Sequence, residues 1–168
     1  EAVTPYGAGD LGTPGAANIC VITKIHEIQG SDATSPLVGQ QVTVEGVVIG
    51  DFQDGSAGTS GDLNGYFVQE EEGDYDADPA TSEGIFVFDP TTVRDVVVGD
   101  LVRITGTVSE YVTSGGASSE TQLGFIGPVT TLSSGNPLPA VTEVELPYTD
   151  VTDLEAYEGM YVAFGTSQ

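Results

Sequence analysis

Residues 65–69 read Gly-Tyr-Phe-Val-Gln, and residues 84–88 read Gly-Ile-Phe-Val-Phe. Both stretches are rich in aromatic and β-branched residues, which is the composition of short strands. An acidic segment, residues 71–83, separates them. Two short strands are not stable alone in water. The pattern therefore predicts a small hairpin, 65–70 and 84–88, that needs longer strands on both sides.

The flanking sequence supplies such strands at Gln41–Phe52 and Leu101–Tyr111. In the first of them, Val42, Val44 and Val48 share one face, and both faces become apolar after Gly46. A strand that changes in this way, with a glycine at the change, is typical of a sheet that curls on itself. With a fifth strand expected over 121–132, the sequence predicts an all-β, five-stranded barrel within residues 20–135.

The two ends of the chain carry a different pattern. Residues 1–19 are small and turn-rich, which indicates a linker or the tail of a preceding β domain. Residues 136–168 begin with a Pro-rich linker and then show a helical turn and a strand, as expected for the start of a following module. We also expect a short β segment over 21–25. The longest apolar runs are only a few residues, so no membrane partner is expected.

The charge balance is extreme. The 168 residues include 26 Asp and Glu against three cations, Lys24, Arg94 and Arg103, giving a formal net charge of −23. Affinity for phosphates normally comes from Lys and Arg that release counterions. A strongly basic nucleic-acid-binding surface is therefore excluded. The acidity indicates solubility at high salt, binding of divalent cations, or a basic neighbouring domain.

Strand alternation identifies a candidate binding face. If Val68 and the apolar residues opposite it point into the barrel, the alternate side chains point outward. Exposed aromatic side chains on such strands stack nucleic-acid bases, and nearby polar side chains can hydrogen-bond base edges or a phosphate. The alternative is that residues 12–40 or the following module cover these rings. The candidate nucleic-acid-binding residues are Phe67, Gln69, Phe86, Phe88 and Arg103.

The acidic segment is a candidate calcium site. Asp74, Asp76 and Asp78 alternate like the first ligands of a calcium loop, and Glu83 follows. The segment is not an EF-hand, because Pro79 occupies the position where that loop requires Gly. A solvated acidic loop is the alternative. Calcium is the only cofactor that the residues suggest.

No catalytic residues stand out. No Ser/His/Asp set and no reactive Cys/His pair is apparent. The single histidine, His26, is expected to be a structural imidazole. The single cysteine, Cys20, cannot form a disulfide within the chain, and is either a small buried side chain or paired elsewhere.

Several pieces of the sequence together resemble one kind of module, the oligonucleotide-binding-fold-like (OB-fold-like) domain of secreted bacterial and archaeal nucleases. These pieces are residues 25–30, 35–39, 42–50, 65–69, 81–88 and 98–111. The run Thr-Ser-Glu-Gly-Ile-Phe-Val-Phe at 81–88 is the more specific piece. Residues 12–18 resemble the end of a lamin-tail-like domain, and residues 154–160 resemble the segment that follows the module. The resemblance covers most of 12–162.

The resemblance implies an extracellular parent protein with a metal-dependent endonuclease/exonuclease/phosphatase domain downstream. It implies an accessory role for this chain, which lacks the Asp, Asn and His set of such a catalytic domain. The expected partners are single-stranded or extracellular DNA and neighbouring domains of the same polypeptide. The competing expectation is a structural or assembly module of an extracellular protein, acidic for salt tolerance or calcium binding.

Overall fold

The computed structural model describes residues 21–53, 63–112 and 119–165, so the predicted tail at 1–19 and Cys20 lie outside the described residues. The barrel strands are β1 (Gln41–Phe52), β2 (Gly65–Gln69), β3 (Gly84–Phe88), β4 (Leu101–Val112) and β5 (Ser119–Gly124). They form a closed circuit: β1 pairs with β2 and β4, β2 with β3, β3 with β5, and β5 with β4. The β3–β5 pairing is parallel and the other four are antiparallel. This order, β1-β2-β3-β5-β4-β1, is a five-stranded OB-fold barrel, as the sequence predicted.

The predicted bend in β1 lies where the strand changes partners. Its first part, Gln41–Val47, pairs with β4, and its second part, Val47–Phe52, pairs with β2. A Cβ atom on Gly46 would lie 2.6 Å from Cγ1 of Val68 and 2.7 Å from the carbonyl oxygen of Gln69. The close approach of the two strands therefore requires glycine at this position.

The core fills the inside of the barrel with apolar side chains from all five strands, and most of these side chains are β-branched. Tyr66 is fully buried among them, and its neighbours Gly65 and Phe67 point to the other face. The main inward side chains are Val44, Val48, Val68, Ile85, Val87, Ile104, Val108 and Leu123.

Two local predictions were wrong. The segment expected to be β over 21–25 leads into a helix, α1 (Ile25–Gln29), whose Ile25 and Ile28 are fully buried in the barrel core. The expected fifth strand is two strands, because Phe125 has a positive φ of 47° and Pro128 cannot donate to a sheet. The second piece, β6 (Val129–Ser133), pairs with the first half of β4.

Residues beyond the barrel fold back onto it. Two short strands, β7 (Thr142–Glu145) and β8 (Val162–Gly165), pair in parallel, and a 3-10 helix spans Val151–Tyr157 between them. Residues 158–161, which we call the strap, cross the outer face of the barrel at Gly84. No helix in the described part of the chain is long and apolar enough to cross a membrane.

Candidate binding groove on the barrel face

The outward side chains of β2 and β3 form an aromatic cluster. The ring centroid of Phe67 lies 4.9 Å from that of Phe86 and 5.9 Å from that of Phe52 in an edge-to-face arrangement. Phe86 is buried, whereas Phe88 retains 36% of its exposure. The predicted strand parity therefore places all three predicted phenylalanines on the outer face, in the positions where OB-folds bind oligonucleotides and oligosaccharides.

Phe67, Phe86 and Phe88 line an open groove with a volume of about 390 Å³, which is within the range of small-ligand sites. Its floor is aromatic and its walls carry a few polar side chains, an arrangement that can hold a flat ring and hydrogen-bond its edge. The lining residues are Leu63, Asn64, Phe67, Phe86, Phe88, Tyr111, Glu120 and Gln122.

The charged group that lines the groove is an acid. Glu120 is the charged residue in the lining, and burial raises the pKa of its carboxyl group. No Lys or Arg lines the groove. A ligand in this groove is therefore held by ring faces and by hydrogen bonds, and not by attraction between its anionic groups and the protein.

The predicted role of Arg103 is not supported by its position. Its Nε lies 2.6 Å from Oε1 of Glu45 on β1, and the residue is not part of the groove lining. The other two cations are also engaged: Lys24 Nζ lies 2.8 Å from Oδ2 of Asp74, and Arg94 Nε donates to Oγ1 of Thr131 at 2.7 Å. These three residues are all the Lys and Arg of the chain.

Gln69 points outward as predicted, but its amide is already occupied. Its Nε2 donates to the hydroxyl of Tyr75 at 2.5 Å, and its Oε1 accepts from the backbone N–H of Tyr161 in the strap at 2.8 Å. The side chain is fully buried. Gln69 therefore anchors the strap, and it cannot read a base edge while the strap is in place.

The strap covers one end of the outer face. The hydroxyl of Ser82 donates to the carbonyl oxygen of Glu158 at 2.6 Å, and the Glu158 carboxylate accepts from the N–H of Thr121 at 2.6 Å. A second cavity of about 430 Å³ lies between the strap and the barrel, with Phe67 and Glu120 common to both cavities. The face is thus covered near Gly84 and open near Phe88, so each of the two sequence-based alternatives describes one end of it.

The acidic loop does not gather its aspartates around one point. Asp76 Oδ1 accepts from the N–H of Asp78 and the hydroxyl of Thr81, and Asp78 Oδ1 accepts from the N–H of Ala80. Asp74 is paired with Lys24. These bonds stabilise a turn in the loop, and the calcium site over Asp74, Asp76, Asp78 and Glu83 stays a prediction.

Glu83 instead turns inward and meets two residues from other elements. His26 Nδ1 lies 3.1 Å from Oε2 of Glu70 and 3.2 Å from Oε2 of Glu83. Burial raises the pKa of Glu70 to about 7, together with the hydrogen bond that a protonated Glu70 donates to the Glu83 carboxylate. Burial alone would lower the pKa of His26, but the hydrogen bond to Glu83 and the charge of Glu70 outweigh it and raise that pKa.

Sequence reasoning did not place Glu70 beside His26, although strand parity carried the signal. Glu70 follows β2 with the same parity as Tyr66 and Val68, so the alternation places its carboxylate on the inner side of the barrel wall. A carboxylate in that position needs a partner, and the only histidine of the chain supplies one.

No family model matches the chain, and no curated protein matches it. Two crystal structures of the mitochondrial single-stranded DNA-binding protein of S. cerevisiae are similar at 16% and 20% sequence identity, each with a TM-score of 0.36. Each similarity covers 58% of this chain and 98% of the yeast chain.

Proposed function

We propose that this chain is a non-catalytic OB-fold module that binds single-stranded nucleic acid by stacking bases in the aromatic groove. In the parent protein it assists a downstream metal-dependent nuclease domain of a secreted nuclease. The observation that carries the binding proposal is the open groove on the outer face of β2 and β3, with Phe67, Phe86 and Phe88 against the polar side chains of β5. The nuclease setting and the extracellular location rest on the resemblance of residues 12–162.

The groove offers the contacts that sequence-tolerant binding of single strands uses. Stacking of a base on an aromatic side chain contributes roughly 1–3 kcal/mol. Phe88 and Tyr111 are the more exposed rings of the lining, at 36% and 52%. Gln122 also lines the groove, and its amide oxygen can accept a hydrogen bond from a base edge. Two stacked bases would give a binding free energy of only about 2–6 kcal/mol, so the isolated module is a weak binder.

The charge distribution sets the orientation of the strand. Since the groove is acidic and all three cations are engaged elsewhere, the phosphates of a bound strand lie on the solvent side. Phosphate contacts then come from a basic neighbouring domain or from divalent cations. This arrangement suits an accessory module that holds the bases in its groove, while the backbone of the strand is held beside the catalytic metal of the downstream domain.

A structural or assembly module is the second candidate. The observation in its favour is the strap, which already occupies one end of the face and is held by Gln69, Ser82 and Thr121. In this alternative the aromatic groove packs against a neighbouring domain of the same polypeptide, and the acidity serves solubility or calcium binding.

A titration of fluorescently labelled single-stranded DNA at low salt, with and without Ca²⁺, distinguishes the two. We expect Phe88→Ala to weaken binding by about 5- to 150-fold, which corresponds to one lost stacking contact, with little change in the melting temperature. Phe88 is preferable to Phe86, because Phe86 is buried and its truncation also costs stability. Phe125→Ala is the matched control, since this ring is 89% exposed and does not line the groove.

Absence of binding in both conditions would eliminate nucleic-acid binding by this chain. Equal losses in Phe88→Ala and Phe125→Ala would place the contact outside the groove. If the wild-type chain does not bind and Phe67→Ala lowers the melting temperature, the assembly role is the better description.

A further inference from the structure

We propose that His26, Glu70 and Glu83 form a binding site for a divalent transition metal of the Zn²⁺ class. The site lies on the opposite side of β2 from the groove residues, between α1 and the two ends of the acidic loop. It does not depend on the proposed binding of nucleic acid. In the described part of the chain, these three side chains form a group whose potential metal-ligand atoms all lie within 4.8 Å of one another.

The spacing of the ligand atoms suits a coordination shell. Bonds of about 2.1 Å to nitrogen and oxygen place neighbouring ligands about 3.0 Å apart in an octahedral shell and about 3.4 Å apart in a tetrahedral one. Nδ1 of His26 lies 3.1 Å from Oε2 of Glu70 and 3.2 Å from Oε2 of Glu83. A metal ion can therefore bind all three atoms with only small movements of the side chains.

The two carboxylates are already aimed at this point. Oε1 of Glu70 accepts from the N–H of Ile25 at 2.7 Å, and Oε1 of Glu83 accepts from the N–H of Asp76 at 3.1 Å. Each backbone bond fixes one carboxylate oxygen and turns the other toward His26. This is the way in which outer hydrogen bonds orient metal ligands in proteins.

The number of donors does not match the number of acceptors. Nδ1 of a histidine carries at most one hydrogen, yet it is within hydrogen-bonding distance of two carboxylate oxygens. Among the described residues, His26 Nδ1 is the nitrogen donor within reach of Oε2 of Glu70 and Oε2 of Glu83. The Glu70 and Glu83 side chains are only 2% and 7% exposed. With both carboxyl groups ionised, one nearly buried carboxylate oxygen that points into the site is thus left without a donor. A divalent cation satisfies both carboxylates, whereas the competing explanation is a proton shared between them.

The chemistry of the ligands selects the metal. One imidazole nitrogen with two carboxylates suits Zn²⁺, Mn²⁺ or Co²⁺, whereas Ca²⁺ takes six to eight oxygen ligands. The His26 side chain is 14% exposed, so water can complete the shell on that side. The bound ion would join α1 to both ends of the acidic loop and hold the loop against the barrel.

The decisive measurement is NMR of the imidazole nitrogens of His26 during a Zn²⁺ titration of the chain without an affinity tag. Because the chain has one histidine, these signals need no assignment. We expect Zn²⁺ to shift the Nδ1 resonance with a single-site isotherm and Ca²⁺ to leave it in place. A histidine-specific signal is needed, because exposed carboxylates on a chain with a net charge of −23 bind cations diffusely.

Calorimetric Zn²⁺ titrations of two variants add an independent readout. Glu83→Gln keeps an oxygen for the Asp76 N–H and should weaken Zn²⁺ binding by at least about tenfold. Asp78→Asn, an exposed change in the same loop, should not. An unmoved Nδ1 resonance at saturating Zn²⁺ would show that the site holds a shared proton and no metal. Equal losses in both variants would place the ion in the acidic loop, and either result overturns the proposal.

Discussion

A methyl group added at Gly84 should detach the strap and leave the barrel folded. Gly84 is on β3 and has no positive φ, so alanine is compatible with its backbone. Its outward side, however, is in contact with the strap. A Cβ atom on Gly84 would lie 2.6 Å from the backbone nitrogen of Met160, and closer still to the carbonyl group of Gly159. Backbone atoms cannot rotate away as a side-chain tip can, so the strap must move by about 1 Å to restore ordinary contact.

That movement has a cost that follows from the bonds of the strap. It is held by hydrogen bonds of 2.8 Å to Gln69 and of 2.6 Å to Ser82 and Thr121. Lengthening each by about 1 Å takes them to about 3.6–3.8 Å, beyond hydrogen-bonding range. At about 1 kcal/mol for each bond, Gly84→Ala should lose about 3 kcal/mol. For a chain of this size, that loss lowers the melting temperature by about 6–12 °C.

Thermal melts test the predicted loss of stability, and hydrogen exchange tests the detachment of the strap. The amide of Tyr161 should lose its protection in Gly84→Ala, whereas amides in the barrel, such as that of Val68, should keep theirs. Gly73→Ala is the matched control, because a Cβ there meets nothing within 4 Å. Both variants share the stabilising effect of Gly→Ala on the unfolded chain, about 0.4–1 kcal/mol, so their difference isolates the steric clash. Equal melting temperatures and a protected Tyr161 amide would refute the assigned contact.

Three further predictions concern charge and burial. Affinity for single-stranded DNA should stay constant or rise between about 50 and 200 mM salt, the reverse of proteins with many phosphate contacts; a steep fall, measured by fluorescence anisotropy, would contradict the groove electrostatics. Burial is the main cause that raises the pKa of Glu158 to about 8. The charges of Glu155, Glu120 and Glu110 add to this effect, and the hydrogen bond from the Thr121 N–H opposes it. Because this pKa is raised in the folded state, the stability contribution of the Glu158 carboxyl group is complete below its ordinary pKa of 4.5 and is lost as the pH rises through 8. Strap protection should therefore fall over that range, and Glu158→Gln should flatten the fall in hydrogen-exchange measurements. The Tyr66 hydroxyl is buried with no hydrogen-bond partner among the described residues, so Tyr66→Phe should change the free energy of unfolding by less than about 1 kcal/mol in denaturant melts.

Strand parity explains why the barrel could be predicted from the sequence. A period of two assigns every residue of β2 and β3 to a face, so Phe67, Phe86 and Phe88 were placed outward without knowledge of any contact. The bend at Gly46 was predictable for a similar reason, since the change from one-sided to two-sided burial marks the place where a strand exchanges partners.

The rest depended on contacts between residues that are distant in sequence. Helix α1 begins where the predicted β segment ends, because Ile25 and Ile28 enter the barrel core together and the N–H of Ile25 donates to Glu70, 45 residues away. Propensity within 21–25 contains none of this information. Gln69 is a similar case: its outward position was predicted, but its partner Tyr161 lies 92 residues further along the chain.

The three cations of the chain all lie away from the aromatic groove. All three cations are used to attach local elements: Lys24 joins α1 to the acidic loop, Arg103 joins β4 to β1, and Arg94 contacts β6. None remains to attract a polyanion to the aromatic groove, so ring stacking must act there without electrostatic steering. An OB-fold of this kind cannot capture nucleic acid efficiently by itself, but it can hold bases that a basic partner or a bound cation has already brought close. On the proposed function, its contribution is the orientation of a strand whose capture happens elsewhere, and adding a cation beside the groove, for example by Gln122→Lys, should convert a weak binder into a salt-sensitive one.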